Sequence, residues 1–453
     1  MHHSFSNHTE MRPKVGFATL GCRTNQNDTA EMQTLLEQEG FEIVSPEERA
    51  DVYVINTCTV TARSDHHSRL AAKKSLSINE NALVVFTGCY AQLNPEEASR
   101  LKGLDIVLGN ANKLEVARVI RERMEADQPL KSPGSAQVYM DNIQARRRFR
   151  TIPVTRFQGR TKAFVKVQTG CEEKCSFCTV VRARGRSLSD SRENILNNIR
   201  QTLAAGFKEI TLTGINLGTW GMDFTPRETF SSLVRDVLRQ AGDYRVRLSS
   251  INPMEIDDAL IAMMRDDPRL CPHLHIPLQS GNDEILRRMR RNYDSRQYRE
   301  VVERAASRIP NLGLGADIIV GFPGETQEQF ENTRRMVEDL PFAYLHVFSY
   351  SPRKGTEAYD HADDVPKSAK KERHRILTDL AQEKCLAFRR GLLNTTATVL
   401  VEYHRDPSTR LLRGYTEHYL PVQLEGEDTL GNHLVQVKLK EVDDQRVYGC
   451  RLS

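Results

Sequence analysis

Three cysteines within eight residues, Cys171, Cys175 and Cys178 in "QTGCEEKCSFCTVV", constrain this chain more than any other feature. They follow "AFVKVQTG" (163–170), which reads as a β-strand, so the spacing predicts a thiol-rich loop at a strand's C-terminal end. Three thiolates can hold three corners of a [4Fe-4S] cube and leave the fourth iron open to a further ligand. A structural zinc ion is the weaker alternative, because it wants four closed ligands and no Cys or His pair at the usual spacing completes the set. Three inert thiols are the plainer alternative still.

Cys22, Cys58 and Cys89 form a second set, in "TLGCRTN", "INTCTVT" and "FTGCYAQ". Each follows a short apolar run, and a parallel sheet would bring all three to the rim where open α/β folds gather ligands. Buried packing cysteines are the competing reading. Exposure at three equivalent strand-to-helix turns instead predicts a second cluster. Cys271, Cys385 and Cys450 show no comparable arrangement and read as packing residues.

The runs "VGFATLG" (15–21), "DVYVINT" (51–57), "ALVVFTG" (82–88) and "DIVLGN" (105–110) alternate with helical spacing, which predicts an open, mostly parallel α/β sheet over 13–128. The Pro/Gly/Ser-rich "DQPLKSPGSAQ" (127–137) begins a linker assigned to 129–156, ending in an arginine-rich run. Six strands begin at Ala163, Glu209, Arg245, His273, Leu314 and Tyr344, each followed by a helical segment, and they predict a (βα)6 partial barrel over 157–389. After a helical stretch from Lys367 to Arg390, residues 390–453 carry short alternating strands with turn signals and predict a small β-barrel.

Sixty-four basic against sixty acidic residues give a formal charge of +4, too small by itself to imply nucleic acid. Arg146, Arg147, Arg148, Arg150, Arg156, Arg160 and Lys162 nevertheless occur without an intervening Asp or Glu, as either a solvated linker or a phosphate contact. The C-terminal 63 residues hold seven Lys/Arg and nine Asp/Glu, so that module is not basic. No apolar run approaches the ~20 residues of a membrane helix, and the N-terminus lacks export or import character. A cytoplasmic protein with no membrane association is expected, with a short leader and Met1 or Met11 as its start.

"CEEKCSFC" resembles the CxxxCxxC signature of radical S-adenosylmethionine (SAM) enzymes. With the second cysteine set, "LGCRTNQNDT", "NTCTVT", "GCYAQ", "HIPLQSGND" and "VGFPGET", the chain is similar over nearly its whole length to the methylthiotransferase family. The resemblance implies an N-terminal methylthiotransferase domain, a radical SAM partial barrel and a C-terminal TRAM domain. It implies an enzyme that replaces C–H by C–SCH3 with two [4Fe-4S] clusters and two SAM per turnover. Cys171, Cys175 and Cys178 would hold the catalytic radical-forming cluster, where SAM chelates the open iron and is split to a deoxyadenosyl radical. Cys22, Cys58 and Cys89 would hold the sulfur-supplying centre. Phe177 would pack near the adenine, and Asn216, Ser250 and Gln279, at strand ends, would hydrogen-bond SAM; capping or turn roles are the alternative for each.

Family members act on an adenosine beside the tRNA anticodon or on a ribosomal-protein aspartate. "RARGRSLSDSR" (182–192) resembles the subgroup acting on N6-threonylcarbamoyladenosine at position 37, with Arg184 or Arg186 facing the threonyl carboxylate. "CTVVRARG" departs from the family in lacking the Pro-aromatic pair before Arg-Gly. Isopentenyladenosine and ribosomal-protein substrates are the alternatives, and a non-catalytic zinc-binding RNA protein is the alternative of another class. A low-potential flavodoxin- or ferredoxin-type donor is implied; the sulfur donor is not.

Overall fold

The computed structural model describes residues 12–126, 136–157, 159–444 and 446–452. The leader with its two possible starts, and most of the Pro/Gly/Ser-rich stretch, lie outside the described residues. The chain divides into two compact units at Ile143/Gln144.

The first unit is a six-stranded sheet of β1 (Lys14–Thr19), β2 (Glu42–Val44), β3 (Val52–Thr57), β4 (Leu83–Gly88), β5 (Ile106–Leu108) and β6 (Gln137–Tyr139), in the order 2-1-3-4-5-6. Every pairing is parallel. Both faces are covered: Val52, Val54, Leu83 and Val85 pack with Met32 and Leu36 of helix α1 (Arg23–Gln38), while Ile55, Val84 and Phe86 pack with Ala72 of α2 (Ala62–Ile78) and Tyr90 of α3 (Cys89–Leu93). This two-sided burial explains the continuous apolar runs. The open parallel sheet matches expectation, with β2 and β6 added at its edges. "EIV" and "QVY" are too short for periodicity to reveal, and backbone pairing with an exposed strand edge is what orders them. Thus part of the expected linker is a strand; Asn112 secures the following turn by bonding Asp141 Oδ2 (2.9 Å) and the Asp141 amide (3.0 Å).

The second unit contains β7 (Lys162–Lys166), the short β8 (Gln168–Thr169) and β9 (Leu188–Ser189), then β10 (Glu209–Thr213), β11 (Arg245–Leu248), β12 (His273–His275), β13 (Gly313–Val320) and β14 (Tyr344–Ser349). Parallel triplets β11-β10-β7 and β12-β13-β14 are joined by bridges between Val246 and Leu270 and between Ser250 and His275. The six expected βα strands therefore form one curved sheet, a partial barrel. Ser191, Thr229, Asp257, Asn282, Asp294 and Thr326 each accept an amide N–H at the start of a helix, which is why these polar residues recur between apolar segments.

The arginine run packs along this unit. Phe149, Thr151, Val154 and Phe157 are buried while Arg147, Arg148, Arg150 and Arg156 stay exposed. Thr151 donates its amide to Asp190 Oδ2 at 2.9 Å.

After the helix Lys367–Gly391, β15 (Thr396–Arg405), β16 (Leu412–Tyr415), β17 (Pro421–Leu424), β18 (Leu434–Val442) and β19 (Val447–Arg451) close a barrel in the order 15-16-17-19-18. Its 415–419 segment faces a buried cluster on the larger barrel. Glu209, Arg245 and Arg247 project from β10 and β11 at 0%, 4% and 1% side-chain exposure. Arg245 Nε donates to Glu209 Oε2 at 2.7 Å and Arg247 Nε to Oε1 at 3.0 Å. Their remaining N–H groups reach Thr398, Tyr415, Thr416 and Glu417 carbonyls at 2.7–3.0 Å. Burial alone would raise the Glu209 carboxyl, but Arg247, Arg245 and Lys162 hold it well below the usual range. Lys162 lies 3.5 Å from the Tyr415 ring centroid, and burial draws its pKa down to about 8. No helix among the described residues is long and apolar enough to cross a membrane.

Candidate active site

The loop bearing Cys171, Cys175 and Cys178 leaves β8 and returns through β9, which pairs antiparallel with it. Gly170 sits at φ +70, and a Cβ there would strike the carbonyl oxygens of Gly185 and Arg186. Cys171 donates its amide to the Gly185 carbonyl at 3.1 Å. Fully buried Gln168 ties the loop to the end of β10: Nε2 donates to Thr169 O, Gly170 O and Ser187 Oγ at 2.9, 2.7 and 2.9 Å, and Oε1 accepts from the Ile215 and Asn216 amides at 2.9 Å each.

Donors already surround the sulfurs. The Glu173 amide points to Cys171 Sγ and the Val180 amide to Cys178 Sγ, each at 3.4 Å, and Arg291 Nη1 approaches Cys175 Sγ at 3.1 Å. Burial pushes the Cys171 thiol up to about 12, and the adjacent Cys178 and Cys175 add to the rise. Such a trio becomes thiolate when a strongly cationic group shares its charge. A structural zinc ion wants a closed set of four ligands, whereas three thiolates suffice for a cubic cluster that keeps one iron open. The radical-site donors fit the cluster.

In the first unit, Cys22 directly precedes α1, Cys58 follows β3 and Cys89 begins α3 after β4. The strand order reverses between β1 and β3, so Cys22 and Cys58 flank the crevice where parallel sheets bind ligands. Gly21, at φ +90, lets the chains close in: a Cβ there would lie 2.8 Å from Cys58 Cβ and Sγ. Gly88, at φ +96, is similarly confined by the Thr57 backbone. Asn25 Nδ2 donates to Leu20 O (2.8 Å) and Thr57 O (3.0 Å), and Asn56 Nδ2 donates to Asn25 O (2.8 Å), fixing the turns that carry the first two thiols. Burial pushes Cys58 up to about 11, with Cys89 and Cys22 close enough to add to the effect. The buried Asn56 Oδ1 has no hydrogen-bond partner. The three thiols thus sit at neighbouring strand-to-helix turns, where a cationic iron centre would draw off their protons.

Residues 14–109 match the family described as "Uncharacterized protein family UPF0004", and residues 165–337 match the radical SAM superfamily. A threonylcarbamoyladenosine tRNA methylthiotransferase, MtaB, from Aquifex aeolicus is 37% identical over 94% of this chain and 99% of its own length. The chain belongs to the radical SAM methylthiotransferase family. It is an enzyme of the transferase class that uses SAM and a [4Fe-4S] cluster. Another relative, the tRNA-2-methylthio-N(6)-dimethylallyladenosine synthase of Protochlamydia amoebophila, is 33% identical over 95% of this chain and 94% of its own. The radical SAM methyltransferase TsrM of Kitasatospora setae shares the fold at TM-score 0.52 and 14% identity, covering 74% of this chain and 73% of that one.

For a radical SAM methylthiotransferase, the expected SAM residues occupy differing environments. Asn216 is buried and its Oδ1 accepts from Asn252 Nδ2 at 2.9 Å. Asn252 Oδ1 in turn accepts from Arg291 Nη2 at 2.7 Å, completing a polar path to Cys175. Ser250 lies half-buried at the β11–β12 bridge. Gln279, at φ +64, holds an Oε1 that is buried without a hydrogen-bond partner, leaving an acceptor for a ligand. Phe177 is half-buried against Ile285, Met289, Phe322, Tyr350 and Ala358. Arg184 is only 5% exposed, whereas Arg186 is open and stands 3.5 Å from Glu172 Oε1. Of the two arginines, only Arg186 is exposed to solvent.

Sequence reading missed Gln168, Asn252, Glu255 and Arg291. Within "LRRMRRNYDSR" (286–296) only the fold separates half-buried Arg291, beside a cysteine, from the exposed Arg287. Burial raises the Glu255 carboxyl, against the bonds it accepts from Asn252.

Proposed function

We propose that this methylthiotransferase converts N6-threonylcarbamoyladenosine at tRNA position 37 to its 2-methylthio derivative. Its closeness over nearly full length to the relative named for that nucleoside carries the assignment. The two rims support the division of labour. Cys171, Cys175 and Cys178 hold the centre that, with SAM, supplies a hydrogen-abstracting deoxyadenosyl radical. Cys22, Cys58 and Cys89 would hold the second [4Fe-4S] centre, which would supply the sulfur, one SAM serving its methylation and a second the radical chemistry.

The chain's own residues orient these components. Arg291 presents a guanidinium beside Cys175, suited to the carboxylate of a bound SAM. Asn216, Ser250 and Gln279 offer polar atoms at successive strand ends, with the unpaired Gln279 Oε1 placed to accept a ligand N–H or O–H. Phe177 supplies an apolar edge for the adenine. Arg186 pairs with the threonyl carboxylate, and the exposed arginines of 146–160 contact tRNA phosphates. A low-potential flavodoxin or ferredoxin supplies the electron.

Nucleoside mass spectrometry of tRNA from a deletion strain tests the substrate. Loss of the 2-methylthio derivative with accumulation of threonylcarbamoyladenosine is expected. An unchanged pool would overturn the assignment, and selective loss of methylthio-isopentenyladenosine would transfer it to the other tRNA subgroup. Arg186→Ala is expected to lower kcat/KM for a threonylcarbamoylated anticodon stem-loop about ten- to hundredfold, the worth of one charge-assisted contact, while substrate-free SAM cleavage holds steady. Equal kcat/KM for both enzymes would remove Arg186 from recognition.

A further inference from the structure

The second half of the barrel carries a residue group separate from the cysteines. Along β12 to β14, Leu274, Ala316 and Ile318 enter the helix-side core with Leu345 and Val347 packed against it. The alternate positions His275, Asp317 and His346 therefore share the opposite face of the sheet. Asp317 is paired in register with His346, and His275 with Gly315. Asp317 Oδ2 lies 3.2 Å from His275 Nε2, and Oδ1 lies 3.3 Å from His346 Nδ1. Among the described residues this is the one His/Cys/Asp/Glu group whose ligand atoms all fall within 4.8 Å of one another.

We propose that His275, Asp317 and His346 bind a divalent transition-metal ion of the zinc or iron(II) type. Two imidazoles and one carboxylate favour such ions over calcium or magnesium, which prefer all-oxygen sets. Both N···O separations exceed the about 2.7–2.9 Å of a charge-assisted hydrogen bond. They run to different oxygens of the one carboxylate, Oδ2 toward His275 and Oδ1 toward His346, so Asp317 stands between the two imidazoles with one oxygen for each side of a shared ion. Outer contacts agree: Tyr344 Oη sits 3.2 Å from His275 Nδ1 and 2.8 Å from His273 Nε2, which leaves His275 Nε2 facing the ion. Gly315 is what admits Tyr344, since a Cβ at that position would run into its ring. The His346 side chain is 57% exposed, so the ion keeps at least one position open to an oxygen ligand.

The test uses iron-loaded enzyme incubated anaerobically with zinc, washed, and analysed for metal content and for zinc-edge anomalous scattering in crystals. One zinc per chain and an anomalous peak among the three side chains are expected. His346→Ala, an exposed change, should lose that zinc while iron content and melting temperature stay unchanged; Asp317→Asn, a second variant, should lose it too. Equal zinc uptake by wild type and His346→Ala, or no anomalous peak at the triad, would overturn the proposal and leave a hydrogen-bonded His-Asp-His relay.

Discussion

Cys175→Ala is expected to abolish formation of 5′-deoxyadenosine from SAM, lowering the rate by at least about a thousandfold, or about 4 kcal/mol of barrier. Several features of the loop converge on this residue. Cys175 accepts from Arg291 Nη1, its carbonyl accepts the Cys178 amide at 3.1 Å, and Arg291 continues through Asn252 to Asn216. Removing the sulfur leaves two of three protein ligands and a half-buried guanidinium without its sulfur neighbour. Liquid chromatography of dithionite-reduced enzyme with SAM measures the effect. Wild-type yields of 5′-deoxyadenosine from the variant would refute the assignment of this loop as the radical site.

Glu209→Gln is expected to destabilise the second unit by about 3–5 kcal/mol, because two buried guanidiniums lose their shared counter-charge. Arg245 and Arg247 also donate to four carbonyls of the C-terminal barrel. The loss should thus appear as earlier release of that barrel. Urea unfolding followed by hydrogen exchange at β15 and β16 checks this. A stability change below about 1 kcal/mol, the scale of a surface pair, would show that the cluster does not fasten the two barrels.

The sequence revealed those parts of the fold that depend on long apolar periodicities. The parallel rim carrying Cys22, Cys58 and Cys89 was legible because both faces of that sheet are buried and the cysteines recur at one type of turn, and the six barrel strands because each turns an apolar face to the covering helices. Edge strands Glu42–Val44 and Gln137–Tyr139 were not, since three residues carry no period and their order comes from a neighbouring strand. Glu209, Arg245 and Arg247 were hidden for another reason. Charged residues alternating within "RVRL" look like a solvated strand face, and only closure by the 415–419 segment turns them inward. Arg291 and Gln168 act across distances of more than forty residues, so local spacing gave no sign of what they bond. Conversely, Arg184 and Arg186 looked equivalent in "ARGRS", and the turn at Gly185, φ +79, buries one while exposing the other.

The most direct measurement is made on the enzyme with Cys22, Cys58 and Cys89 all changed to Ala, assayed with a threonylcarbamoylated anticodon stem-loop under strict anaerobiosis. Two iron centres with separate duties predict that this variant keeps half of the wild-type iron and still forms 5′-deoxyadenosine, yet produces no methylthio nucleoside. Wild-type iron content, or methylthiolated product from the variant, would contradict the account.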